Sequence, residues 1–229
     1  IDFRSLPAQA SSDSSASIAS HDKQVRGQVP GRQRGGARRT DCPDLRALTA
    51  LVPVTEIQTQ TLPETYVGGT TTAEYPTFWF YVPASLDADL RAEFILQDDT
   101  GANIYRINSA DFPASEQTPG LIGIALPASI APLEMGRVYR WYFNLNCGSE
   151  VPLSVQGGIE RIPLDPNLAN QLANASAQEQ ANLYLANGIW YDAATVLAQL
   201  HRTHPTDATI ESSWINLLRS IGLEDLAAN

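Results

Sequence analysis

Four small groups of residues in this chain have types and spacing suited to chemistry. Asp99-Thr100-Gly101 is the triplet that carries the catalytic carboxylate of aspartic proteases, and Leu121-Ile122-Gly123 has the form of the apolar-apolar-glycine element that supports it. That reaction needs two such aspartates sharing one proton. The two elements here lie only about twenty residues apart, too close for the strands that separate them in that fold. A hairpin turn over Asp98-Asp99-Thr100-Gly101 accounts for the same residues. An aspartic-type hydrolase therefore ranks third among the functions considered.

His201 and His204 stand three apart near the end of an expected helix, a spacing that sets both on one face. A metal site wants a third or fourth ligand, and no cluster accompanies them. The helix dipole accounts for histidine at that end. His21 is the only other histidine, no Gly-x-Ser-x-Gly elbow occurs, and no glycine loop of the phosphate-cradling kind is present. Asn174-Ala175-Ser176 is a formal glycosylation sequon, read more simply as the link between two helices. The expectation is a chain with no catalytic residue, no cofactor and no metal.

Cys42 and Cys147, the two cysteines, have no partner at metal-ligand spacing. A bridge between them closes a loop of about a hundred residues, worth roughly 4–5 kcal/mol on a chain-entropy estimate, and requires an oxidising compartment. Two buried free thiols are the alternative, and a bridge between two chains is a third possibility.

The fourth group is aromatic. Tyr75-Pro76-Thr77-Phe78-Trp79-Phe80-Tyr81-Val82-Pro83 is echoed about sixty residues on by Tyr139-Arg140-Trp141-Tyr142-Phe143-Asn144-Leu145-Asn146-Cys147. Side chains alternate faces along a strand, so both runs read as central strands of a β-sandwich. Trp79, Tyr81, Trp141 and Phe143 alternate with Phe78, Phe80, Tyr142 and Leu145. One set faces the core; the other faces helices, a ligand or a partner. Stacking on sugar rings makes Trp79, Tyr81, Trp141 and Phe143 a candidate ligand face, and packing beneath helices that carry Trp190 and Trp214 is the favoured alternative.

The elements that hold these residues fall into three parts. Residues 1–41, rich in Ser, Ala, Gln, Gly and Arg, read as an extended low-complexity arm that cannot bury enough surface to order itself. Something outside it must order it, and a neighbouring subunit is the favoured support, with the arm added to an exposed sheet edge. Ile1, Phe3 and Leu6 are its apolar anchors, and Arg32, Arg34, Arg38 and Arg39 its cationic ones.

Residues 42–163 read as the β-sandwich domain. Strands are expected at Leu48–Val52, Glu56–Thr61, Thr77–Val82, Ala92–Gln97, Asn103–Asn108, Leu121–Leu126, Arg137–Cys147 and Leu153–Ile162, several bounded by Pro or Gly. Eight strands at this spacing suggest an immunoglobulin-like antiparallel sandwich. Gly157-Gly158 inside the last marks a bulge or a close backbone approach. Thr59–Thr72, rich in Thr and Gly, reads as a variable loop.

Residues 164–229 switch to helical periodicity. Asp165-Pro166 opens one helix, Ser176-Ala177-Gln178-Glu179 caps a second that stops at Gly188, and helices from Tyr191 to Thr203 and from Asp207 to Ile221 flank Pro205. Tyr184, Gly188, Trp190, Ala193, Leu197 and Pro205 sit at spacings favoured by a single tetratricopeptide-like hairpin, a small helical subdomain that caps or flanks the sandwich.

Of 229 residues, 43% are apolar and 17% charged, enough for one ordinary core and a smaller appendage. Residues 1–46 hold eight Lys/Arg against five Asp/Glu, whereas residues 47–229 hold seven Arg, no Lys and twenty acids. An acidic body repels nucleic acid and anionic lipid, and no apolar stretch is long enough to insert into a membrane. A sequence that starts at Ile1 suggests a processed, exported product, periplasmic, extracellular or at the cell surface.

Several motifs occur in a particular order: Arg-Gly-Gly before Asp41-Cys42-Pro43; Leu48-Thr49-Ala50-Leu51-Val52-Pro53; Glu74 to Pro83; Ala92-Glu93-Phe94-Ile95-Leu96-Gln97-Asp98; Tyr139 to Phe143 followed by Cys147; and Asn187-Gly188-Ile189-Trp190-Tyr191-Asp192-Ala193. This order resembles a cyanobacterial family classed as domain of unknown function 928, over roughly residues 32–226. The resemblance implies an exported, non-enzymatic protein and supplies no catalytic residues. The leading expectation is a self-associating structural protein, a fibre or oligomer subunit whose arm docks on an adjacent copy. A polysaccharide- or protein-binding module that uses the aromatic face is second.

Overall fold

A computed structural model describes residues 26–35, 45, 47–58, 62–148 and 151–228. Among the described residues ten strands form two sheets, and four helices follow them. The strands are β1 (Gln28–Pro30), β2 (Thr49–Ala50), β3 (Val54–Ile57), β4 (Glu64–Thr71), β5 (Thr77–Val82), β6 (Arg91–Gln97), β7 (Asn103–Asn108), β8 (Gly120–Ala125), β9 (Val138–Asn146) and β10 (Leu153–Arg161). One sheet runs β1-β4-β10-β9-β6-β7 with β3 also on β4, and the other runs β2-β5-β8.

Alternation places the core. Ala92, Phe94 and Leu96 of β6 and Tyr139, Trp141, Phe143 and Leu145 of β9 point inward at every second position. They meet Phe78 and Phe80 from β5 in the facing sheet. Phe80 stacks on Phe143 with centroids 4.3 Å apart, and Phe78 lies 4.8 Å from Phe94. The intervening residues of β5 face the other way, onto the helices.

The helices start where their caps dictate. Asp165 accepts from the N–H groups of Asn167 and Leu168 to open α1 (Pro166–Asn174), with Pro at its first turn. Ser176 and Glu179 close a reciprocal capping box on α2 (Ala177–Ala186), and Gly188 follows that helix at φ +72°. α3 (Trp190–Thr203) lies against β4 and β5, and Asp207 caps α4 (Ala208–Ser220). Among the described residues no helix is long and apolar enough to cross a membrane.

Two expectations need correction. Glu64–Thr71 is a strand, not a loop, and its partner β10 runs parallel to it, with Gly158 opposite Gly68 and Arg161 opposite Thr71. The sheet is therefore not wholly antiparallel. Residues 26–35, read from composition as part of a separate arm, lie along the body of their own chain.

Candidate functional site

β4 and β10 pair only over their C-terminal halves, residues 68–71 with 158–161. Below that point they part, and residues 28–32 occupy the space between them. Gln28, Val29 and Pro30 lie antiparallel to Gly68, Val67 and Tyr66 on one side, and Arg32 bridges to Gln156 on the other. The N–H of Gly31 donates to the carbonyl of Thr65 at 3.0 Å. The same segment then crosses to the second sheet: Ala50 N–H donates to Gln33 O at 2.8 Å, and Gly35 N–H to Leu48 O at 2.6 Å. Residues 26–35 thus form a strap that joins both sheets at one side of the sandwich.

The point of the fork is built from glycine. A Cβ on Gly27 or Gly68 would strike the carbonyl of Gly69 or Gly158 respectively, and one on Gly158 would sit 2.6 Å from Gly27 O. Gly27 and Gly68 also hold φ of +70° and +126°, values that a side chain disfavours. Three backbones meet here at a separation that only glycine allows.

Charge fixes both ends of the strap. Arg26 pairs with Glu160 at 2.8 Å, and Arg34 grips Asp225 through both guanidinium nitrogens at 2.9 and 2.5 Å. The hydrogen bond from Arg34 is the main reason that Asp225 lies below the usual carboxylate range. Between these ends Val29 is buried, and Gln33 donates its side-chain amide to Val52 O at 2.7 Å.

The helical layer holds the far side of the fork through Gly188 and the first three residues of α3. Thr70 donates to Gly188 O at 2.8 Å, and the Trp190 indole donates to Leu51 O at 2.9 Å. Tyr191 donates to Gly158 O at 2.7 Å while it accepts from the Trp141 indole at 2.8 Å. Burial pushes the Tyr191 hydroxyl far above the ordinary tyrosine range, so it remains a donor. Asp192 accepts from the hydroxyls of Thr71 and Thr72 at 2.6 and 2.7 Å, and burial raises its carboxyl despite those bonds.

The expected site residues separate accordingly. Arg32 and Arg34 belong to the strap; Ile1, Phe3, Leu6, Arg38, Arg39 and Cys42 lie outside the described residues. Cys147 follows β9 and is partly buried. The candidate ligand face does not form. Trp141 and Phe143 are 0% exposed between the sheets, and Trp79 lies under α3, where its indole donates to Thr195 and Arg202 stacks on it at 4.8 Å. Tyr81, the fourth, is half-buried beside Trp214 and Leu218. β5 and β9 turn opposite members of their alternation inward, so the four rings never share a face.

Asp98 takes the turn role, accepting from Thr100 and Ala102 N–H at 2.9 Å each, and Asp99 is ion-paired with Arg137 at 2.5 Å. Leu121-Ile122-Gly123 belongs to the other sheet. His201 binds Glu211 at 2.9 Å and stacks on Trp214. The fork was missed from sequence because its strap is short and glycine-rich; the Gly157-Gly158 pair was the one signal of close backbone approach.

A two-sheet β-rich body with a helical layer, laced by a strap from its own N-terminal side, defines the class of this protein. The chain belongs to the family described as Domain of Unknown Function (DUF928), whose model matches residues 32–229. A search of curated proteins returned no match.

Proposed function

We propose that the chain is a non-enzymatic, exported structural subunit that associates with its own copies through the N-terminal arm. One observation carries the reading. The body contains a backbone fork whose unfilled hydrogen-bonding groups are met by a short segment of that arm, which is the chemistry of strand addition. Head-to-tail contact of that kind is heterologous and generates rings or filaments.

Charge supports the same reading. The arm is basic and the body strongly acidic, so body-to-body contact is repulsive while arm-to-body contact is attractive. Export and a bridge between Cys42 and Cys147 belong to this proposal, as do a cyanobacterial source, an immunoglobulin-like sandwich and a tetratricopeptide-like helical hairpin. The polysaccharide- or protein-binding alternative is not carried further, because burial covers most of its aromatic face.

Negative-stain imaging of the full chain beside a chain starting at Thr40 tests the proposal. Rings or filaments from the full chain alone are expected. Single small particles from both contradict it.

A further inference from the structure

We infer that residues 26–35 exchange between copies, so that the strap of one chain fills the β4–β10 fork of the next. This rests on the self-association reading and names its contact: the partner is a second copy, and the surface is the fork.

The strap behaves as a ligand already. It is bound through backbone pairing on both flanks, one buried apolar side chain and an ion pair towards each end. It is joined to the body through residues 36–44, a stretch that spans at most about 30 Å when extended. A neighbour's strap has the same sequence and makes the same contacts, so exchange loses no bond and is opposed mainly by the entropy of association. Concentration offsets that term. The short connection requires the two bodies to lie close together, strap side to fork side.

Two features ease the release of the strap and its capture by a neighbour, and both are the same in the closed and the exchanged seat. Gln28 Oε1 is buried without a hydrogen-bond partner in the seated strap, which lowers the cost of lifting the strap out. The body to be approached carries a large negative charge, and the strap presents arginines where it holds Glu160 and Asp225. A bare approach of two acidic bodies lacks that compensation.

Arg32 and Gln156 supply the test. They are antiparallel partners that exchange both backbone hydrogen bonds, a pairing with Cα atoms about 5.5 Å apart and within the reach of a disulfide. Full chains carrying Arg32→Cys alone and Gln156→Cys alone are mixed, oxidised mildly and digested. The joined peptides are identified by mass, which separates them from any pairing of Cys42 or Cys147.

A bridge between residue 32 of one variant and residue 156 of the other, increasing with protein concentration, is the expected result. A double variant that bridges only within its own chain, with none formed in the mixture although native mass shows assembly, overturns the exchange and leaves assembly to another contact. A full chain that keeps single-subunit mass at every concentration overturns both the exchange and the reading beneath it.

Discussion

Arg32 and Gln156 exchange backbone hydrogen bonds in both directions, each 2.9 Å long. This reciprocal pair ties the N-terminal side of the chain to β10, the strand that also pairs with β4 and β9. Whatever occupies the position of Arg32 completes the sheet there, and the fork glycines decide whether anything can.

Gly158→Ala is expected to destabilise the protein by about 2–3 kcal/mol, since its Cβ would press on Gly27 O and Val29 and neither can yield without moving the strap. Gly136→Ala has an unfavourable φ of +72° but open space around it, and should cost about 1 kcal/mol. Urea unfolding of the two variants checks the difference. Equal losses would mean that the fork is not tightly packed.

Asp192 makes stability depend on pH in an identifiable direction. Its carboxyl is raised by burial, so its contribution is fullest below the unfolded value and is lost as pH rises through the folded one. Wild type should therefore gain stability relative to Asp192→Asn as pH falls from 7 towards about 4. The substitution should also lower stability outright, because an amide turns a donor towards the hydroxyls of Thr71 and Thr72. Thermal melts of both proteins across that range measure the trend.

Glu116 behaves in the opposite sense. Burial alone would raise its carboxyl, but paired bonds from Arg202 at 2.7 and 2.8 Å and the N–H of Gly123 outweigh it and hold the group low. Its contribution is present above the unfolded value and is lost as pH falls through the folded one. Arg202→Ala, which strands this buried acid and uncovers Trp79, should cost about 3 kcal/mol. Arg202→Lys should recover only part, since an ammonium cannot make the paired, stacked contact. Chemical denaturation of the three proteins gives the ranking.

Under the proposed bridge, intact protein alkylated without reduction keeps its unmodified mass, and reduction before alkylation adds two labels. Reduction should lower stability by about 4–5 kcal/mol if the bridge lies within one chain. Two labels without reduction would dismiss the bridge.

Much of this molecule was readable in the order of its residues. The strand Thr77–Val82, the helix caps at Asp165 and Ser176 and the start of the last helix near Asp207 are local signals, and each stands where it was expected. β4 was not legible, because Gly68-Gly69 interrupts its good strand formers and its C-terminal half is held by β10 and by Gly188 and Asp192 more than a hundred positions downstream along the chain. The strap was invisible for the same reason: three residues of strand exist only because two separated strands leave room for them. The alternation was correct along β5 but misplaced Leu145 of β9, which shares the inward face of Trp141 and Phe143, and sequence does not say which face each strand turns inward.

The central claim is that full-length chains associate through the arm, and the mass of the native particle tests it most directly. Light scattering across a concentration series should give particles well above the 24.8 kDa of one chain, growing as concentration rises. A constant mass of one chain throughout the series would contradict the account.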